Sequence, residues 1–160
     1  MHVIIVGCGR VGSQLAQILS SEGHNVVIID KNPNSFKRLG ADFNGITIVG
    51  IGFDPEILKR AGVERADALA AVTNGDNSNI MVSQIAKKIY NVPRVITRIY
   101  DPLRADIYKK FGLNTIGTTT IVAQIFRSAL LKESSKMEFS IGEDLGLIEY
   151  KAKKEEAKGE

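Results

Sequence analysis

The stretch Val3-Ile4-Ile5-Val6-Gly7-Cys8-Gly9-Arg10-Val11-Gly12 joins a β-branched apolar run to a Gly-x-Gly-x-x-Gly. A second apolar run, Val26-Val27-Ile28-Ile29, follows and ends in Asp30. Strand, glycine turn, helix, strand, acid is the order of a βαβ unit that holds a dinucleotide by its phosphates and ribose. Gly7 permits the tight turn out of the strand, Gly9 lets backbone approach a pyrophosphate, and Gly12 lets the helix pack against the sheet. The helix, expected over Val11–Glu22, then aims free N–H groups and the positive end of its dipole at the phosphates. Asp30 lies 18 residues after Gly12, close to the ~20 at which a carboxylate meets ribose hydroxyls. The bland alternative is a turn of the same shape that has lost its ligand.

Outward from this unit the chain alternates short β-branched runs with longer amphipathic ones. Strands are expected at Val3–Val6, Val26–Asp30, Ile46–Val49, Ala68–Thr73, Val95–Arg98 and Thr115–Ile116. Helices are expected at Val11–Glu22, Ser35–Ala41, Pro55–Ala61, Asn77–Tyr90, Leu103–Phe111 and Thr119–Lys132. This alternation predicts an α/β fold: a Rossmann-like, doubly wound parallel sheet of six strands in the order 3-2-1-4-5-6, with helices on both faces. Ligand then binds at the switch between strands 1 and 4. Asn32-Pro33, Asp54-Pro55 and Asp101-Pro102 each place a cap before a first-turn proline. Gly62 and Gly112 fall where left-handed caps end helices. Thr118-Thr119-Thr120 is expected to cap the last helix.

The expected domain organisation is a nucleotide-binding domain over 1–133 and a short extension over 134–160. Ser134-Ser135 reads as a linker, Met137–Ile141 as a half-exposed strand, and Gly142–Tyr150 as a loop. Lys151–Glu160, nearly all Lys, Glu and Ala, reads as a solvated or frayed tail.

Composition narrows the function. At 160 residues the chain fits one domain and has no room for a separate substrate domain. A net charge of +3 from scattered basic residues, with no arginine-rich or aromatic-interleaved patch, argues against nucleic acid as a partner. Cys8 is the only cysteine, so no intrachain disulfide forms and a reducing cytoplasm fits. No apolar run approaches the ~18 residues that span a bilayer. The first strand begins at residue 2 or 3, which leaves no expected place for a signal peptide. Any service to a membrane system is expected from the cytoplasmic side, through a partner.

Five stretches resemble one family: Ile5–Gly12 (IVGCGRVG), Val26–Lys31 (VVIIDK), Ile48–Gly50 (IVG), Ala66–Asn79 (ADALAAVTNGDNSN) and Val95–Pro102 (VITRIYDP). They are similar to the regulatory nucleotide-binding domain of Trk/Ktr-type potassium uptake systems, the RCK or KTN domain (TrkA N-terminal domain), over residues 1 to about 133. The resemblance implies a cytoplasmic regulatory subunit, peripheral to the inner membrane. Such a subunit binds adenine nucleotides (NAD(H), ATP, ADP or AMP) and gates a membrane potassium transporter. It implies that the glycine loop, Gly7, Cys8, Gly9, Arg10, Val11 and Gly12, meets phosphates. Asp30 meets the adenine-side ribose with Lys31 beside it, Thr73, Asn74 and Asn79 line the end of the fourth strand, and Arg98 points back toward phosphates. After the third strand the family often has Gly-Asp-Ala, where this chain has Gly50-Ile51-Gly52. Either Asp54 substitutes for the missing acid, or backbone groups with Ile51 and Phe53 read the adenine. Family members often continue into a separate C-terminal ligand domain, so the chain is a short member or an N-terminal fragment.

Several residues carry two readings. Arg10 is a phosphate ligand or an exposed helix-start cation, where it would oppose the dipole. Arg98 binds an anion or forms an internal salt bridge at a buried strand end. Asp30 would repel a 2′-phosphate and favour NAD-type over NADP-type ligands. Cys8 is a thiol activated by the helix start, or a small residue filling a tight turn. His2 and His24 are structural or surface residues. The last helix is apolar on more than one face (Ile121, Val122, Ala123, Ile125, Phe126, Ala129, Leu130, Leu131), which suggests a subunit interface. Family members use that helix to form dimers and rings. Two function classes remain: a nucleotide-sensing regulatory subunit, not an enzyme, or an NAD-dependent oxidoreductase or a fragment of one. The second needs an acid–base residue that the sequence does not offer.

Overall fold

Six parallel strands form one sheet in the order β3-β2-β1-β4-β5-β6: β1 His2–Val6, β2 Asn25–Asp30, β3 Ile46–Val49, β4 Ala68–Ala71, β5 Arg94–Ile99 and β6 Asn114–Gly117. The computed structural model describes residues 1–153. Five α-helices accompany the strands: α1 Arg10–Ser21, α2 Pro55–Arg60, α3 Asp76–Lys88, α4 Pro102–Lys110 and α5 Thr118–Leu131. Every strand pair in the sheet is parallel, so all six carboxyl ends lie on one edge. The switch point falls between β1 and β4, as the sequence pattern predicts.

The β-branched runs explain the two-faced core. Ile4, Val6, Val27 and Ile29 pack with Leu58 of α2 and Val82 of α3. Val3, Ile5, Val26 and Ile28 pack on the other side with Ala16, Leu15 and Leu19 of α1. Alternate residues of one strand thus enter opposite layers, which a sheet covered on both faces requires. The prolines behave as expected. The side chains of Asn32, Asp54 and Asp101 accept from the amides of Asn34, Glu56 and Leu103.

Four local expectations need correction. The segment expected as an α-helix over Ser35–Ala41 is a 3-10 helix, Pro33–Leu39. Phe36 and Leu39 both enter the core, and an i, i+3 pair is eclipsed at three residues per turn. The threonines do not cap α5. Gly117 is its N-cap, without a side-chain bond, and the Thr119 hydroxyl donates instead to the Tyr100 carbonyl at 2.6 Å. Ser135 is not linker but opens β7, Ser135–Ile141. The stretch expected as a loop after Gly142 is β8, Asp144–Tyr150, antiparallel to β7 and reached through Gly142 at φ +61°. Its alternation is hidden because Leu147 and Ile148 are adjacent and Gly146 is blank. Gly146 faces Phe139 across the ladder, so the ring covers the position a side chain would fill. Of the expected tail, Lys151–Lys153 carry no regular structure; residues 154–160 lie outside the described residues. Among the described residues no helix is long and apolar enough to cross a membrane.

Candidate functional site

The glycine turn is built so that each glycine answers a different demand. Gly7 has φ +106°, and a Cβ there would sit 2.8 Å from the Thr73 amide nitrogen. A Cβ on Gly12 would overlap the Gly7 carbonyl oxygen, so α1 rides directly on the turn. A Cβ on Gly9 would meet nothing of the protein within 4 Å. Gly9 thus leaves its backbone bare on the outer side of the turn, open to close approach.

Helix α1 starts unfilled. Its N-cap is Gly9, with no side-chain cap and no acid in the first turn, so its first amides lack an anionic partner from the chain. Helices α2 and α4 differ, since Asp54 and Asp101 cap them at 2.9 Å. Arg10 is exposed at the same helix start. Among the described residues its guanidinium has no carboxylate partner.

Asp30 is fixed against this turn. Its Oδ2 accepts from the Cys8 amide at 2.7 Å and its Oδ1 from the Asn32 amide at 2.8 Å. An ionised carboxylate has about four acceptor positions, so two remain for hydroxyl groups. Lys31 next to it is exposed. Gly50 donates its amide to the Asp30 carbonyl at 3.0 Å, and Ile51 is half exposed beyond it.

Cys8 departs from the expected role. Its amide is spent on Asp30, so it is not one of the amides left for a phosphate. Its thiol is fully buried and donates to the Ser35 carbonyl at 3.4 Å. Burial, then the charge of Asp30, push the thiol pKa from 9.0 up to about 11, against a smaller downward pull from Arg38. The activated-thiol reading is overturned: Cys8 fills the turn. Iodoacetamide at pH 8 should leave the native thiol unmodified and alkylate it in urea, as read by intact mass. The unfolded thiol ionises first as pH rises from 9 toward 11, so native stability should fall across that window.

Asn79 stands at the end of the fourth strand, as expected, but turns inward. It is fully buried and saturated. Its Oδ1 accepts from the Thr73 amide (2.9 Å) and hydroxyl (2.7 Å), and its Nδ2 donates to the Thr73 carbonyl (3.1 Å) and the Arg98 carbonyl (3.0 Å). It clamps the ends of β4 and β5 together rather than lining a cleft. Thr73 stays half-buried and Asn74 exposed at that end. Arg98 forms no ion pair among the described residues, which removes the internal salt bridge. Its guanidinium lies 4.1 Å from the centroid of the Tyr100 ring, and its Nε is buried without a hydrogen-bond partner. Such a donor is costly to leave unmet. Asp54 caps α2 through one carboxylate oxygen, which accepts from the Glu56 amide at 2.9 Å, and its other acceptor positions stay open.

Sequence reasoning passed over Asp76. Its carboxylate accepts from the Tyr100 amide at 2.8 Å and the Asp101 amide at 3.2 Å, with Arg104 at 3.9 Å. It ties the β5–α4 connection to the start of α3. An acid in a first helical turn was the available signal. The arrangement gathers backbone donors, a positioned carboxylate and two cations, Arg10 and Arg98, on one sheet edge. Among the described residues no cluster of His, Cys, Asp or Glu could hold a metal.

Comparison with known proteins gives three findings. The TrkA-N domain family matches residues 3–119. The chain is 47% identical over 136 residues to the Trk system potassium uptake protein TrkA of Streptomyces coelicolor, covering 85% of this chain and 61% of that protein. The chain thus spans less than two thirds of that relative. Its fold is that of the Kef C-terminal domain of Shewanella denitrificans in AMP-bound form (TM-score 0.67, 23% identity, 81% of this chain and 80% of that one). It is also that of the GsuK channel bound to NAD (TM-score 0.65, 19% identity, 86% of this chain and 26% of that one).

Proposed function

The chain belongs to the TrkA-N domain family, and on that premise we propose that it is the nucleotide-sensing part of a potassium uptake system. It acts in the cytoplasm and reaches the inner membrane only through its transporter partner. Its ligand is an adenine nucleotide: NAD(H), ATP, ADP or AMP. The observation that carries this reading is the empty-handed start of α1, where bare Gly9 and unpaired Arg10 face outward beside the fixed carboxylate of Asp30. Phosphate oxygens meet the α1 amides and Arg10, ribose hydroxyls take the two open positions on Asp30, and Arg98 supplies the further donor. The AMP of the Kef domain and the NAD of GsuK share the adenosine phosphate that such a site would hold.

A sensor fits this edge better than an oxidoreductase. A hydride-transferring site needs a group that gives or takes a proton beside the substrate. Here the thiol of Cys8 is buried, Asn79 is saturated and Asp30 holds two amides. The edge as built can bind and orient an anion. For binding to gate a transporter, the ligand must favour one assembly state over another.

Titration calorimetry with NADH, ATP, ADP and AMP tests the reading. At least one should bind, and Arg10→Ala should weaken it about tenfold, the loss of one charge-assisted contact. Arg10 is exposed, so its replacement leaves the fold intact. Silence from all four ligands would end the sensor reading.

Self-association goes with the same reading. Helix α5 buries only Ser128 in its own chain, while Val122, Phe126 and Leu130, four residues apart, are 49%, 65% and 80% exposed. A stripe of that size on one helix face belongs against another subunit. Phe126→Asp should turn a dimer or larger ring into monomer by light scattering, with helix content unchanged. A wild-type chain that is already monomeric would refute this part.

A further inference from the structure

The C-terminal ends of α3 and α4 are built alike. Helix α3 ends in Lys87-Lys88 with Ile89 as its C-cap, and α4 ends in Lys109-Lys110 with Phe111 as its C-cap. A left-handed residue follows each cap, Asn91 at φ 52° and Gly112 at φ 89°, and turns the chain back toward β5 and β6. Ile89 and Phe111 stay outside, 66% and 72% exposed. The two ends are neighbours, because Lys87 Nζ donates to the Gly112 carbonyl. In a parallel sheet each helix runs back toward the amino edge of the strands. Both ends therefore lie opposite the glycine turn, and the 13 residues of α3 span about 20 Å of that separation.

The charge at these tips has one sign. Segments 87–94 and 108–113 hold four lysines and Arg94, and no acid. Among the described residues none of the five forms an ion pair. Lys87, Lys109 and Arg94 touch only uncharged groups: the Gly112 carbonyl, the Ser140 hydroxyl and the Met1 sulfur. Lys88 and Lys110 are exposed. Lysine in a last helical turn complements the dipole, which accounts for the cations but not for a bare isoleucine and phenylalanine among them. Cations around protruding apolar side chains suit an anionic bilayer. Headgroup phosphates meet the lysines, and the apolar tips enter the boundary with the acyl chains. A second copy of this edge is repelled by like charge. A nucleic-acid backbone would use the lysines and leave Ile89 in water.

We propose that the adjoining ends of α3 and α4 are a docking surface for anionic phospholipid. The transporter partner still brings the chain to the membrane. The lipid contact is a second, weaker hold, made effective by the local concentration that the first provides. It turns the amino edge to the bilayer and leaves the nucleotide edge, at the other end of the helices, open to solvent.

Sedimentation of the whole chain with vesicles tests it, using phosphatidylcholine alone and phosphatidylcholine with about a third phosphatidylglycerol. At low salt the chain should partition onto the anionic vesicles at least about tenfold better than onto the neutral ones, and lose that preference at about 0.5 M NaCl. Lys88→Gln combined with Lys110→Gln removes two charges and should weaken partition about 25-fold, near fivefold for each. Phe111→Ser keeps every charge and should weaken it about fivefold or more. All three positions are exposed, so thermal midpoints should match wild type and separate lost docking from lost fold. No partition onto the anionic vesicles, or a smaller preference for them, would overturn the proposal. So would a Phe111→Ser chain that partitions like wild type, since a surface that uses charge alone fits nucleic acid or an acidic protein instead.

Discussion

Gly12→Ala should destabilise the fold by about 3 kcal/mol or more and abolish nucleotide binding with it, since a forced backbone overlap exceeds ordinary overpacking. The added Cβ would overlap the Gly7 carbonyl oxygen and press the Gly7 carbonyl carbon at 3.0 Å and Val72 Cγ2 at 3.2 Å. Val72 could yield, but Gly7 cannot. Its amide donates to the Ile29 carbonyl at 2.8 Å, its φ is +106°, and Thr73 backbone is packed against it so closely that even a Cβ would sit 2.8 Å from the Thr73 nitrogen. Relief must come from lifting α1 off the turn, which strains the 2.7 Å bond between the Cys8 amide and Asp30. Gly9→Ala is the contrasting variant. With no protein atom within 4 Å of its Cβ, it should keep stability within about 1 kcal/mol, the usual range for an N-cap change. It should still weaken nucleotide binding, because the methyl group occupies ligand space. Urea midpoints and calorimetry separate the two. Equal midpoints for Gly12→Ala and wild type would refute the packing of α1 on the turn.

The sheet order was legible because its signals are local and redundant. Most strands are short β-branched runs, three helices open on an acid or amide before proline, and a glycine triplet marks the first crossover. A βαβ alternation then admits few topologies. The hairpin was less legible, because Gly142–Tyr150 carries apolar residues on both faces and lost its period of two. At the candidate site the residue types pointed to one sheet edge, where the fold gathers them, but not to their partners. Cys8 and Asp30 are 22 positions apart, and nothing in that spacing says that the amide of one is spent on the carboxylate of the other. Asn79 and Arg98 meet only because β4 and β5 end side by side. Hydrogen-bond partners follow from where strand ends arrive, which the one-dimensional pattern leaves open.

Asn79 is therefore the second position where a single change should matter most. Asn79→Leu keeps the volume but leaves the Thr73 amide and the carbonyls of Thr73 and Arg98 without a partner, while the Thr73 hydroxyl keeps only Gly75. Each buried orphan costs roughly 1–3 kcal/mol. Thr73 is half-buried and water reaches part of it, so a net loss of about 3 kcal/mol is expected, by urea denaturation. Nucleotide binding should weaken further at matched folded fraction, because the clamp sets the spacing of the β4 and β5 ends and hence where Arg98 stands. Asn79→Asp separates clamp from volume. Its oxygen still accepts from Thr73, but the second oxygen faces the two carbonyls that the amide nitrogen served. Neutral, the carboxyl could donate to one of them; ionised, it is buried against both. Burial and these carbonyls would raise its folded pKa above the ordinary ~3.9. The stability of this variant relative to wild type should then be greatest at acid pH and fall as pH rises through the carboxylate range. An aspartate variant as stable as wild type at pH 7, with the same nucleotide affinity, would mean that the β4 and β5 ends hold together without Asn79.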